Sequence, residues 1–334
     1  MRVPAAQVVA RAAAAVAVGA QRAGWPFALL AALGACASVP APAPSLPSAP
    51  RLPSASLAAP AASTSVAPLA SPSRGVALTP FSAAAEGAQL PGQWEPYLLG
   101  SSKKPTHWRV ARTQAAHALE DPVPVPRGPL QTVGAAHAEP ALPIARVEVV
   151  PAQAVAPPPL ALVGDADRSA SGVAHPIGRH LRAGERLRWS WRIDLAPRDP
   201  DPGDRTREDS AMRVALSFHG DRSKMPARDL MLSELAQVIT GKEIPYATLV
   251  YVWAPERELG EIVIDPRTSR VRSIVVANQA TPLRTWLRSE RDVAADFAAA
   301  FGEAPGHLHG IALFVDADHT DSRAIGWYGD LELD

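Results

Sequence analysis

Hydrophobic and polar residues alternate with a period of two along much of the C-terminal two-thirds of the chain. In Arg186–Leu195, residues Leu187, Trp189, Trp191 and Ile193 share one face, and charged residues occupy most of the other. This alternation is typical of an antiparallel strand with one buried face. Further strands are predicted at 106–113, 212–218, 247–253, 261–264, 271–277, 309–315 and 325–333, separated by Gly, Pro, Asp and Asn clusters.

Two segments instead carry apolar residues at helical spacing. They cover 229–240 and 284–301, and the second ends at Gly302, a residue that suits a helix C-terminus. Many short strands without regular strand–helix alternation favour a mostly-β fold. We therefore predict that 89–334 forms an antiparallel β-sandwich with about two peripheral helices. The serine-containing segment 169–172 is predicted to be a loop.

The composition changes this picture in two places. The chain has 334 residues and 35 prolines, and many of the prolines fall in 37–80 and 121–160. Such a segment buries too little apolar surface to offset its ordering entropy, so 36–88 is predicted to be an extended, disordered tether. The second stretch is predicted to be a surface insert, in which 144–150 alternates like an edge strand.

The N-terminal residues have the pattern of an export signal. Residues 1–35 combine arginines with an apolar run, and 33–36 read Leu-Gly-Ala-Cys. This ending resembles the lipobox of bacterial lipoproteins, which implies cleavage before Cys36 and acylation by chains such as palmitate. A lone buried cysteine is the alternative. Ala37 is not the aspartate that often retains lipoproteins in the inner membrane, so the resemblance implies a periplasm-facing lipoprotein of a Gram-negative outer membrane.

The charge balance and the single cysteine exclude other classes. The 33 basic and 33 acidic residues give no strong basic face, so no nucleic-acid partner is expected. One cysteine rules out an intrachain disulfide framework. The chain shows no nucleophile elbow, phosphate loop or dinucleotide fingerprint.

An ordered set of short motifs runs through the C-terminal part of the chain. The motifs are Ser169-Ala170-Ser171-Gly172, Trp189-x-Trp191-Arg192, Arg207-Glu208-Asp209, Arg213-Val214, Pro245-Tyr246, Tyr251-Val252-Trp253, Arg291-Asp292-Val293-x-x-Asp296, Phe301-Gly302-x-x-Pro305, Asp316-x-Asp318-x-Thr320 and Trp327-Tyr328-Gly329-Asp330. Their order and spacing resemble one bacterial family, domain of unknown function 3047, and the last strand also resembles that of carbohydrate-binding jelly rolls. These resemblances imply a jelly-roll-like (galactose-binding-like) sandwich and hardly any activity. The proline-rich insert departs from the family pattern.

Three carboxylates form a candidate calcium site. Asp316 and Asp318 follow an apolar strand, and Asp330 lies on the predicted neighbouring strand. Alternate carboxylates supply the hard oxygen ligands that calcium takes. The alternative is an Asx-type turn at the strand end, without metal. No other cofactor is expected.

Tryptophans and one charged pair are the candidate ligand-binding residues. Trp253 and Trp327 are candidates for sugar stacking, whereas Trp189 and its alternating neighbours are predicted to be core. Asp209 and Arg213 lie four residues apart at a loop-to-strand junction. They could form a mutual ion pair or brace a turn, and Arg213 could instead clamp a ligand carboxylate.

His307 and His309 share a strand face and could ligate zinc. No third ligand lies nearby in the sequence, so the start of a strand is the favoured interpretation.

The leading functional prediction is non-catalytic binding of a cell-envelope saccharide or related ligand by a lipid-anchored periplasmic protein. The alternatives are a glycan-active hydrolase or lyase using Asp209, Asp316 or Asp318, and a purely structural envelope protein.

Overall fold

The structure is a computed structural model that describes residues 76–88, 90–100, 102–113, 145–240 and 244–334. The predicted signal peptide, Cys36, most of the tether and most of the insert lie outside the described residues. Among the described residues, no helix combines the length and the apolar character that crossing a membrane requires.

Strands dominate the described part of the chain. They are β1 (Val76–Ala77), β2 (Glu95–Leu98), β3 (His107–Arg112), β4 (Gln153–Ala154), β5 (Leu160–Asp167), β6 (Ala170–Arg179), β7 (Arg186–Leu195), β8 (Ser210–Phe218), β9 (Ala247–Trp253), β10 (Ile262–Ile264), β11 (Val271–Ala277), β12 (Leu287–Asp292), β13 (Leu308–Asp316) and β14 (Arg323–Leu333). Two α-helices accompany them, α1 (Ala227–Thr240) and α2 (Val293–Phe301).

The strands form two sheets that pack face to face. The first has the order β3-β5-β14-β7-β12-β4, with β1 also paired to β14; the second has the order β10-β11-β9-β8-β13-β6-β2. Neighbouring strands are antiparallel except β9 and β11, which run parallel. Trp189 of the first sheet stacks on Tyr251 of the second, with ring centroids 5.3 Å apart, so the main core lies between the sheets. The predicted mostly-β sandwich with two helices is confirmed.

The periodicity of β7 is also confirmed, because Trp189 and Trp191 are each 1% exposed in the core. The second predicted helix is wrong in its first half. Residues 287–292 alternate between buried and exposed and form β12, which pairs with β7. The helix begins only after Asp292, whose carboxylate accepts a hydrogen bond from the Ala295 backbone N–H as an N-cap. It ends at Gly302 with φ 74°, as expected for a left-handed C-terminal residue.

Three other local predictions need correction. Of the predicted edge strand 144–150, the described residues 145–150 make only an isolated bridge, Arg146 to Glu261, and the edge strand of this region is β4, which pairs with β12. The predicted loop at 169–172 instead contains the start of β6. The fold includes residues before 89, because β1 pairs with β14 and Phe81 is fully buried.

Three central strands of the second sheet, β6, β13 and β8, position the sites described below. At one end, which we call the carboxylate end, Asp316 is paired with Ala170 and Ser210. At the other, the histidine end, Leu308 is paired with Arg179 and Phe218. The nine residues of β13 separate the two ends by roughly 26 Å.

Candidate functional site

A cluster of charged side chains lies at the carboxylate end. Its members come from the end of β13 and the turn after it, from β8 and the segment before it, and from two more distant loops. We call this group the carboxylate cluster: Lys103, Glu208, Asp209, Arg213, Arg267, Asp316, Asp318 and His319.

Asp209 holds the turn that joins β13 to β14. It is 1% exposed. Its carboxylate accepts hydrogen bonds from the backbone N–H groups of His319, at 3.2 Å, and Thr320, at 2.7 Å, and from the Thr320 hydroxyl at 2.6 Å. Burial acts to raise the pKa of Asp209, but the interactions with His319 and Thr320 outweigh it and keep this pKa below its usual value. Asp209 is therefore an ionised brace of the turn.

Asp316 and Arg213 form a buried ion pair beneath this turn. Arg213 Nη1 lies 3.0 Å from Asp316 Oδ2, and the Ser210 backbone N–H donates to Oδ1 at 2.8 Å. Arg213 also donates to the Glu208 carbonyl oxygen. Burial raises the pKa of Asp316 to about 7, against the lowering effect of Arg213. The predicted partner of Arg213 was Asp209, whereas its ion-pair partner in the structure is Asp316.

Asp318 and His319 form the part of the cluster that is open to solvent. Their side chains are 21% and 23% exposed. Lys103 Nζ lies 2.6 Å from Asp318 Oδ2, and His319 Nδ1 lies 3.4 Å from Asp318 Oδ1. Neither this Oδ1 nor this Nδ1 makes a hydrogen bond, and both atoms are shielded from solvent. The interaction with Asp209 raises the pKa of His319 above its usual value, so its charged form is favoured.

The structure does not bring the three predicted calcium ligands together. Asp316 is paired with Arg213, and Asp330 accepts hydrogen bonds from the Ser82 backbone and hydroxyl. Potential ligand atoms of Asp209, Asp318 and His319 do lie within 4.8 Å of one another. That set includes an imidazole nitrogen, which suits a transition metal better than calcium. The Lys103 ammonium already occupies one oxygen of Asp318.

The tryptophans do not form an exposed stacking surface in the described residues. Trp253 is 5% exposed, and its indole N–H donates to the Asn278 carbonyl oxygen at 3.2 Å. Trp327 is fully buried, and its indole N–H donates to Asp194 at 2.8 Å. All seven tryptophans of the described residues are at most 9% exposed. Recognition at the carboxylate end would therefore depend on hydrogen bonds and charge.

Several members of the cluster were not singled out from the sequence. His319 lies between Asp318 and Thr320, both of which were noted, so its position was a usable signal. Lys103 and Arg267 gave no such signal, because both lie far along the sequence from the turn that carries Asp318 and His319. Arg267 pairs with both carboxylate oxygens of Glu208, at 2.7 Å from one of them.

The fold and the cluster define a β-sandwich protein with a polar site at one end of its second sheet. A family model described as a protein of unknown function, DUF3047, matches residues 157–332. The chain belongs to this family. The matched segment runs from just before β5 to near the end of β14, and thus includes both ends of β6, β8 and β13. A comparison with curated proteins found no match.

Proposed function

We propose that this chain is a lipid-anchored envelope protein whose β-sandwich binds a polar cell-envelope ligand, a saccharide or a related polyhydroxylated molecule. The ligand binds at Asp318, His319 and Lys103 and is not chemically changed. Anchoring occurs through acylated Cys36 in the outer membrane, with the sandwich facing the periplasm.

One observation carries the proposed binding site. Asp318 Oδ1 and His319 Nδ1 are 3.4 Å apart, and His319 Nδ1 also lies 3.5 Å from Asp209 Oδ1, but neither Asp318 Oδ1 nor His319 Nδ1 makes a hydrogen bond. A hydroxyl group both donates and accepts, so it can satisfy a carboxylate oxygen and a protonated imidazole nitrogen together. The Lys103 ammonium offers further donors beside them. Saccharides present adjacent hydroxyls of this kind. The side chains of Asp318 and His319 are partly exposed, and they have to turn outward to bring these two shielded atoms to such a ligand.

The alternatives are less well supported by the geometry. Glycoside hydrolysis requires two carboxyl groups that reach the substrate from opposite sides of the scissile bond. Asp209 is 1% exposed and already accepts three hydrogen bonds, while Asp316 is 3% exposed and paired with Arg213. Only Asp318 of the three candidate acids has a substantially exposed side chain.

The binding site is tested by screening the full chain against a glycan array and measuring the retained glycans by calorimetry. We expect Asp318→Asn and His319→Gln each to weaken binding by tenfold or more. Asp165→Asn is the matched control, since Asp165 makes an exposed ion pair with Arg323, and neither residue is a member of the cluster. Release of new reducing ends would instead establish a hydrolase, and absence of any retained glycan would favour the structural alternative.

The anchor is tested separately. We expect the natural chain, expressed in a Gram-negative host, to incorporate a clickable palmitate analogue and to fractionate with outer membranes. Cys36→Ala abolishes the label and releases the protein from the membrane fraction, because the acyl chains on Cys36 are what hold it there. Equal labelling of both proteins would contradict the proposal.

A further inference from the structure

Four histidines meet at the histidine end of the central strands. His180 directly follows β6, His219 directly follows β8, His307 precedes β13 and His309 lies within it. The sequence offered only His307 and His309 as neighbours. The antiparallel order β8-β13-β6 brings the other two beside them.

The backbone is built for this close approach. The His219 backbone N–H donates to the His307 carbonyl oxygen at 2.9 Å. A Cβ atom at Gly306 would lie 2.0 Å from the His219 carbonyl oxygen, so only glycine allows the two segments to come together. The pairing of β13 shifts register between Leu308 and Gly310 on both sides; against β8 the extra residue is His309, and against β6 the extra residue lies in β6. Bulges redirect side chains and are frequent beside functional sites.

The imidazole rings contact one another. His219 Nε2 lies 3.0 Å from His309 Nδ1. Ring centroids are 4.9 Å apart for His219 and His309, 5.7 Å for His219 and His307, and 5.2 Å for His180 and His307. His307 Nδ1 is shielded from solvent and has no hydrogen-bond partner.

We propose that His219, His307 and His309 form a site for one divalent first-row transition metal ion, for which zinc is the probe, with His180 as the nearest additional ligand. Imidazole nitrogens suit zinc, copper and nickel. In a tetrahedral zinc site with bonds of about 2.0–2.1 Å, two ligating nitrogens lie about 3.4 Å apart. The 3.0 Å between His219 Nε2 and His309 Nδ1 needs little adjustment to reach this distance. The His307 ring has to turn towards this pair, because among the described residues only Asp209, Asp318 and His319 have ligand atoms that all lie within 4.8 Å of one another. His180 and His219 are exposed, so an ion can enter from solvent.

The test uses the full chain, purified without a histidine tag and freed of metal. Calorimetry with Zn²⁺ is expected to give one site per chain, and Co²⁺ to give the visible absorption bands of a low-coordinate nitrogen site. His219→Ala and His309→Ala should each weaken zinc binding by at least tenfold and abolish the cobalt bands. Because His219 is exposed, its variant is expected to remain folded, which circular dichroism checks.

His319→Ala is the matched control, since it removes a histidine from the carboxylate end. Unchanged affinity in this variant supports the proposed site. Loss of zinc binding in His319→Ala would place the metal at the Asp209, Asp318 and His319 group and overturn the proposal. Unchanged affinity in the His219 and His309 variants, or no zinc binding by the natural chain, would overturn it as well.

Discussion

The two ends of β6, β13 and β8 are built from the same strands but handle polar groups in different ways. At the carboxylate end, acidic side chains are matched by cations: Asp316 by Arg213, Asp318 by Lys103 and Glu208 by Arg267. At the histidine end, the imidazole rings of His219 and its neighbours contact one another, so similar groups face each other instead of opposite charges.

This difference predicts different physical roles. Opposite charges that satisfy one another hold loops in place, and removal of one partner leaves the other buried and unpaired. Imidazoles that face one another stabilise little by themselves, but they share a preference for the same cation. The carboxylate end is thus expected to contribute strongly to stability, and the histidine end to contribute mainly when metal is bound.

The largest expected effect comes from the buried cation of the carboxylate end. Arg213→Met removes the partner of Asp316, and we expect a loss of about 3–5 kcal/mol in the free energy of unfolding at pH 8, because a buried carboxylate is left unpaired. Urea unfolding measures this loss. Arg323→Met is the control: its ion pair with Asp165 is 47% and 33% exposed, and such exposed pairs contribute about 0–1 kcal/mol. Equal losses in the two variants would break the comparison.

A smaller effect is expected in the pH dependence of stability. The pKa of Asp316 is raised from 3.8 to about 7 in the folded protein, so its contribution is fully present below pH 4 and is lost as the pH rises towards 7. Relative to Asp316→Asn, the natural chain should lose up to about 1.4 kcal/mol per pH unit across this window. Unfolding curves of both proteins at pH 4, 5, 6 and 7 measure the difference. A constant difference would show that Asp316 does not titrate there.

The smallest expected effect concerns two histidines, His319 and His309, whose pKa values shift in opposite directions. Asp209 raises the pKa of His319, so that group stabilises the fold below pH 6.5 and its contribution is lost as the pH rises through the shifted value. The pKa of His309 is lowered to about 4, so its contribution is present above pH 6.5 and is lost as the pH falls towards 4.

Histidine ring resonances followed by NMR between pH 3 and 9, and assigned with His319→Gln and His309→Gln, should show midpoints on opposite sides of 6.5. Coincident midpoints for the two rings would remove the electrostatic contrast between the two ends.

Much of the fold was predictable because strand periodicity is a local property. The alternation in β7, the apolar runs of β8, β9 and β13, and Gly302 at the end of α2 all follow from short-range stereochemistry. The strand β12 was missed because its apolar spacing, read together with that of α2, also fits a helix. Its pairing with β7, which lies about a hundred residues earlier in the sequence, decides the outcome.

The same contrast between local and long-range information applies to the candidate sites. From the sequence alone, Asp209, Arg213, Asp316 and Asp318 were recognisable as chemically suited residues, and His307 and His309 as a possible ligand pair. Only the tertiary structure decided which groups meet: Asp316 with Arg213, Lys103 with Asp318, and His219 with His309. The physical reason is that residue type and spacing are written along the chain, whereas side chains separated by about a hundred residues or more become neighbours only through strand order and register.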